Sequence, residues 1–190
     1  KPKYKLDTSA PMTFNPLCAP DNYMEFRHIM EKAHREAISA YNDVAKNFEK
    51  KFGRTNDIVE MIDADDADIV LLTSGSMTST ARVAVKQLRE RGEKVGICKI
   101  RMFRPFPFDA LREAAGNISG GRKIKKIAVL DRNISHGCGG IWSSEIKSAF
   151  YDIAQAPYIF TFHIGLGGRD VTPESIIEVY NKTKEADHPS

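Results

Sequence analysis

The sequence predicts an α/β fold of three layers around a mainly parallel sheet, preceded by an extended arm and a long helix. Three observations carry this prediction. Short apolar runs alternate with segments of helical period. The runs are continuous rather than alternating, as in strands covered on both faces. The junctions between run and helix collect glycine, serine and proline, the residues of turns and element ends. The stretch 68–107, DIVLLTSGSMTSTARVAVKQLRERGEKVGICKIRMFRPFP, shows all three.

Residues 1–20 contain Pro2, Pro11, Pro16 and Pro20. That density excludes helix and disfavours a central strand. The segment reads as an extended arm with Met12, Phe14 and Leu17 as apolar anchors, or as a tail without structure. Asp21 suits a helix N-cap. From there Tyr23, Phe26, Met30, Ala33, Ala37, Tyr41, Val44, Phe48 and Phe52 recur every three or four residues, and Gly53 provides a stop. The pattern predicts a helix of about eight turns, roughly 45 Å long. The average helix of a compact domain has about 11–12 residues, so this one bridges two bodies or lies along the outside of one. Two units follow: an arm and linker helix over 1–55, and an α/β domain over 56–190.

Residues 53–68 read as a connector, with Ile58, Val59, Met61 and Ile62 as an apolar anchor. Asp63, Asp65, Asp66 and Asp68 then cluster, but without the glycine and distal glutamate of a calcium-binding EF-hand loop. They read as turn and cap residues. Ile69, Val70, Leu71 and Leu72 open the first strand. Ser74, Gly75 and Ser76 turn into a helix whose inner face is Met77, Ala81, Ala84, Val85 and Leu88, with Arg89 and Arg91 in its last turn and Gly92 as its stop. Residues 95–102 return as a strand, parallel to the first because a helix joins them. A short helix over 108–115 turns Leu111 inward and leaves Asp109 and Glu113 outside. Residues 124–130 form the third strand, followed by Asp131 and Arg132. A helix over 141–153 is expected to bury Ile141, Trp142, Ile146, Ala149, Phe150 and Ile153. Residues 157–164 form the fourth strand. The last helix starts with Thr172 as N-cap, Pro173 at the first position and Glu174 at the positive end of the dipole, and buries Ile176, Ile177, Val179 and Tyr180.

Composition narrows the functional classes. The chain has 190 residues, 42% hydrophobic and 28% charged, with a net charge of +3. A charge that small does not argue for nucleic acid, and the basic run at 122–126 reads as a solvated strand entry. No apolar stretch approaches the roughly 20 residues of a membrane span, and no signal peptide is visible. Cys18, Cys98 and Cys138 are scattered, which argues for reduced thiols, a cytoplasmic setting and no resident iron–sulfur cluster. The start at Lys1 leads us to expect an upstream portion.

In open α/β sheets ligands bind beyond the carboxyl ends of the strands. The loops there are SGSMTS, RPFP, DRNISHGCGG and GLGGRD. The hydroxyl-rich turn 74–80 precedes a helix and can hold a phosphate through backbone N–H groups, but has neither Walker nor GxGxxG form. A tight strand–helix turn explains it as well. His136 and Cys138 are too close in sequence to face each other as a catalytic pair. His28 and His34 point to different faces of the long helix, and His163 reads as a core histidine. The glycines of GLGGRD admit either a ligand or a neighbouring domain.

Five segments occur here in the order of a known family: FGRTN at 52–56, the strand–GS–helix unit at 68–91, GEKVGICKIRMFRPFP at 92–107, VLDR at 129–132 and IGLGGRDVTPE at 164–174. The chain resembles the C-terminal part of the α subunit of pyruvate:ferredoxin oxidoreductase and its 2-oxoacid relatives, a domain similar to the transketolase C-terminal domain. The resemblance covers nearly the whole chain. It implies a whole enzyme that converts pyruvate and coenzyme A to acetyl-CoA and CO2 with electrons to ferredoxin, using thiamine diphosphate, magnesium and iron–sulfur clusters. It implies an architectural role for this part, beside the thiamine-binding domains.

The sequence has no GDG…N thiamine diphosphate motif and no ferredoxin-type cysteine set. We therefore expect no cofactor bound by this chain and assign no catalytic residue. The matched positions Gly75, Ser76, Arg104, Asp131, Arg132, Gly167, Gly168 and Arg169 are candidates for interdomain or subunit contact, with coenzyme A contact left open. The alternatives are a flavodoxin-like flavin- or phosphate-binding module, and a free-standing scaffold that dimerises through the long helix.

Overall fold

The computed structural model describes residues 4–13, 17–116 and 124–189. In chain order the elements are α1 (Pro20–Phe52), β1 (Val59–Ile62), β2 (Ile69–Thr73), α2 (Met77–Glu90), β3 (Val95–Ile100), α3 (Phe108–Gly116), β4 (Lys126–Asp131), α4 (Ile141–Phe150), β5 (Tyr158–His163), a short 3-10 turn (Leu166–Gly168) and α5 (Pro173–Glu185). The strands form one sheet in the order β1-β3-β2-β4-β5. β2 is parallel to β3 and β4, and β4 to β5. The α/β class with a mainly parallel sheet is therefore present, behind a long first helix.

The sheet has five strands where the residues predicted four. The added one is β1, in the segment expected to be a connector. It pairs antiparallel with β3, Val59 opposite Ile100 and Ile62 opposite Ile97. Its four residues are all half-buried, too short and too mixed to show a strand period. The acidic residues after it do form a turn: Arg89 of α2 reaches the Asp63 carbonyl and pairs with Asp66 at 2.6 Å.

Two apolar layers flank the sheet, because neighbouring side chains on a strand point to opposite faces. Val70, Leu72, Ile127 and Val129 pack with Leu111 of α3 and Ile146, Ala149 and Phe150 of α4. Ile69, Leu71, Ile97 and Ala128 pack with Ala81, Val85 and Leu88 of α2 and Ile176, Val179 and Tyr180 of α5. Thr172 caps α5 as expected, in a reciprocal box with Ser175. At the other end of α5, Lys126 Nζ donates to the carbonyls of Thr183, Lys184 and Ala186 at 2.9, 3.1 and 2.7 Å.

Several expectations need correction. α4 stops at Phe150, so Ile153 lies beyond it and is exposed, and Ile141 faces outward at its start. β3 ends at Ile100 rather than at 102. His163 is exposed at the end of β5 and is no core histidine. α1 begins two residues earlier than expected: Ala19 occupies the N-cap without a side-chain bond, Pro20 takes the first helical position, and Asp21 falls inside the first turn. Proline suits that position because its missing N–H would be unpaired there anyway. Gly53 ends the helix in the left-handed conformation. None of the 33 residues of α1 is buried. Of the expected arm anchors Met12 and Leu17 are exposed. Phe14, Pro2, Pro16 and positions 122–123 of the basic run lie outside the described residues.

Candidate functional site

Four parallel strands run in the order β3-β2-β4-β5, so the winding reverses between β2 and β4. Two loops leave the carboxyl ends of these strands in opposite directions there, which opens a crevice. A cavity of about 220 Å³ occupies that position. The β2–α2 turn contributes Ser76, Met77 and Thr80, the end of β4 contributes Arg132, and the β5–α5 loop contributes Gly168, Arg169, Asp170 and Val171.

Each wall has a local cause. Gly75 has φ 58°, which swings the chain from β2 into α2. Thr73 and Thr78 hydroxyls meet at 3.0 Å beneath the turn and fix strand to helix. Thr78 and Ser79 N–H groups bond back to the Gly75 and Ser76 carbonyls, so the turn satisfies part of its own N-terminal donors. On the opposite wall Gly165, Gly167 and Gly168 have φ of 74°, 61° and 81°. A Cβ on Gly167 or Gly168 would meet nothing within 4 Å. Within this chain these two glycines serve backbone conformation and not close approach. Arg132 lies against Gly165, its Nε 3.1 Å from where a Cβ would stand. Neither Arg132 nor Arg169 has an acidic side-chain partner among the described residues. A second hollow of 440 Å³, toward β5 and α5, shares Arg169 and Asp170. The combined surface is a polar, cation-bearing groove.

The structure thus gathers Ser76, Arg132, Gly168 and Arg169 at one cavity, with Gly75 and Gly167 in the same two turns. Arg104 and Asp131 lie elsewhere. Arg104 follows Phe103, stacks over its ring at 4.1 Å and pairs with Glu145 of α4. It borders a hollow of 540 Å³ between α1 and the RPFP segment. Phe106 of that segment is a core residue, so half of RPFP faces inward.

Asp131 has no exposed surface. Its Oδ2 accepts from the N–H and the hydroxyl of Ser143, both at 3.0 Å. Ser143 stands in the first turn of α4, whose N-cap is Gly140, a residue without a side chain. β4 therefore supplies the capping carboxylate that the helix lacks. A Cβ on Gly140 would fall 2.0 Å from Asp131 Oδ2, so glycine is required there. Sequence reading missed this pair. The available signal was a helix start with no serine, threonine or aspartate at the cap.

The remaining reactive groups are dispersed. Burial pushes the Cys98 thiol up to about 12, which keeps it protonated and inert. His136 and Cys138 are exposed in a loop closed by the Ser135–Gly139 bridge. His34 Nδ1 faces the Met30 carbonyl of its own helix at 2.9 Å. Among the described residues no three His, Cys, Asp or Glu come together as metal ligands. The three cysteines stand apart as free thiols, Cys98 buried and Cys18 and Cys138 exposed, so the described residues bring together no thiolate set for an iron–sulfur cluster.

A mainly parallel α/β domain with a cavity at its switch point is the class that fold and site define. Residues 67–176 match the family described as pyruvate:ferredoxin oxidoreductase core domain II, and the chain belongs to that family. It is 40% identical over 187 residues to the ketoisovalerate oxidoreductase subunit VorA of Pyrococcus abyssi, covering 97% of this chain and 46% of that one. It is 36% identical to the pyruvate synthase subunit PorA of Methanothermobacter thermautotrophicus (97% and 45%), and 40% identical to that of Thermotoga maritima (95% and 45%). The chain spans about half the length of these curated relatives. A solved 2-oxoglutarate:ferredoxin oxidoreductase from Magnetococcus marinus overlays with a TM-score of 0.49 at 24% identity, over 88% of this chain and 24% of that one. Among the described residues no helix is long and apolar enough to cross a membrane.

Proposed function

We propose that this chain is a structural and assembly domain of the α subunit of a cytoplasmic 2-oxoacid:ferredoxin oxidoreductase, with pyruvate as substrate. The whole enzyme would convert pyruvate and coenzyme A to acetyl-CoA and CO2 and pass electrons to ferredoxin. Thiamine diphosphate, magnesium and iron–sulfur clusters would be held by its other domains and subunits. One observation carries the reading: the core-domain match lies within an alignment that covers nearly all of this chain and about half of each relative. The relatives' names include both ketoisovalerate and pyruvate enzymes at similar identity, so the substrate assay compares the two acids.

Residues 1–55 serve as arm and linker helix and 56–190 as the α/β body. The contact surface is the carboxyl-end groove, with Gly75, Ser76, Arg132, Gly167, Gly168 and Arg169, and separately Arg104. Two exposed arginines without acidic partners among the described residues suit an acidic strip on a neighbouring subunit. The flavodoxin-type alternative finds no favouring observation beyond the serine-rich turn.

The test is assembly. Arg132→Glu with Arg169→Glu should leave the melting temperature within about 2 °C, since neither guanidinium has an ion pair among the described residues, while lowering recovery of the assembled enzyme and its 2-oxoacid turnover. Full assembly and turnover in that variant, or in an enzyme with 56–190 deleted, refutes the reading. So does oxidoreductase activity from this chain alone.

A further inference from the structure

The apolar stripe of α1 has two fates. In the second half Ala37, Ile38, Tyr41, Ala45 and Phe48 are half-buried, Val44 and Phe52 stay exposed, and the Tyr41 hydroxyl ties the helix to the Asn56 carbonyl at 2.8 Å. A helix repeats its face about every 3.6 residues, so the same face continues backwards through Tyr23, Phe26 and Met30. There the described residues leave it open. Tyr23 is 57%, Phe26 51% and Met30 50% exposed, with Ile29 beside them at 61%. The open part, residues 20–36, runs about 25 Å. Glu31, His34 and Arg35 border the hollow beside the RPFP segment, but the apolar stripe itself packs on nothing among the described residues, and most helical stability in proteins comes from tertiary packing of that face. Contiguous exposed aromatic and methionine side chains mark an interaction surface.

Resting on the reading above, we propose that residues 20–36 of α1 are buried against the half of the α-subunit polypeptide that lies outside this segment. Three observations choose that occupant. The relatives align over 95–98% of this chain but only 45–46% of their own length. Nearly all of α1 therefore belongs to what they share, and more than half of each relative remains to cover it. The exposure is segregated by sequence: the described residues from 58 onward enclose two apolar layers, while no described residue from 4 to 57 is buried and every described residue from 4 to 36 is exposed. The uncovered strip is also small. At about 25 Å by about 10 Å it offers roughly 250 Å², against about 800 Å² per partner in a stable dimer of separate chains. A strip of that size suffices between parts of one polypeptide, where the tether holds the effective concentration high.

Hydrogen exchange on the complete α polypeptide, purified without the other subunits, tests this. Amides 24–36 should exchange at least about 100-fold more slowly than in a synthetic peptide of residues 17–55. Phe26→Glu should restore at least a tenfold faster exchange there, while amides of β2 and β4 keep their wild-type rates and report an intact body. Met30→Glu should do the same. Exchange at peptide rates in the wild-type polypeptide overturns the proposal. Protection that rises with protein concentration alongside a doubled mass in light scattering also overturns it, in favour of a second copy. Protection that appears only when other subunits are added overturns it in favour of a subunit contact. Because the polypeptide is tested alone, loss of assembly in the arginine variants leaves this result untouched, and the two readings fail separately.

Discussion

Replacing Asp131 with alanine tests the claim that β4 caps α4. The carboxylate accepts two hydrogen bonds from Ser143, both at 3.0 Å, in a site where Asp131 is fully buried and Ser143 is 3% exposed. Hydrogen bonds to a charged acceptor contribute about 1.5–3 kcal/mol, and loss of an N-cap costs about 0.5–2 kcal/mol. These overlap, since the backbone bond is the cap. Removing the carboxylate also strands a buried N–H and a buried hydroxyl. One relief works the other way: Oδ1 has no partner among the described residues, so its desolvation is recovered. The net loss should be about 2–4 kcal/mol, and about half of that for Asp131→Asn, which keeps an acceptor. Gly140→Ala should cost a similar amount, because its Cβ would stand 2.0 Å from Oδ2. In the Asp131→Ala background that clash is largely gone, so the two losses should fall short of additive by about 1–2 kcal/mol. Urea unfolding at constant m-value measures all four corners of the cycle. A loss under about 0.5 kcal/mol for Asp131→Ala, or strict additivity with Gly140→Ala, would refute the capping argument.

Two further outcomes follow from α5. Lys126→Met should destabilise by about 1–2 kcal/mol in thermal melts, since it removes the cation that bonds the Thr183 and Lys184 carbonyls of the last turn and the Ala186 carbonyl at the C-cap, at the negative end of the helix dipole. An unchanged melting temperature would contradict this. Glu93 is held below its ordinary range by Lys184 and then by the Tyr180 hydroxyl. A lowered folded-state value means that its contribution is complete above the unfolded carboxylate value and fades as pH falls through and below it. Glu93→Gln should therefore flatten the acid limb of the stability curve and leave the slope above pH 6 unchanged.

The elements legible in the sequence were those whose pattern is local. The Ile69–Thr73 strand is buried at every position, so its apolar run has no interruption. The α2 face Met77, Ala81, Ala84, Val85 and Leu88 is buried throughout, so its period is complete. The threonine–proline start of α5 reads directly as a cap. What escaped depends on contacts between distant residues. β1 exists because β3 offers it an edge, and its four residues have no period of their own. Ile141 and Ile153 fit a helical face by spacing, yet α4 ends before that face reaches the second of them. His163 sits in an apolar strand but at its mouth. Of the eight contact candidates, the sequence could not separate Asp131 from its neighbour Arg132. One residue of strand alternation decides it: Asp131 turns under α4 and is buried, while Arg132 turns to the switch-point cavity.

That alternation also bears on why residue chemistry left GLGGRD undecided between a ligand and a protein neighbour. A site for a small ligand needs convergent groups that are held in place from behind, as Asp131 is held by Ser143. Arg132 and Arg169 lack such support among the described residues, and Gly167 and Gly168 have open space where side chains would stand. Long cationic side chains without fixed partners, over a backbone bared by glycine, match a surface that acquires its geometry from what docks on it. The same holds for the open half of α1. Both features lie outside the two closed apolar layers, and under the proposed assembly role both would find their partners in polypeptide beyond this domain. A tightly packed body with cationic and apolar groups left open at its periphery is what the proposed assembly role would require.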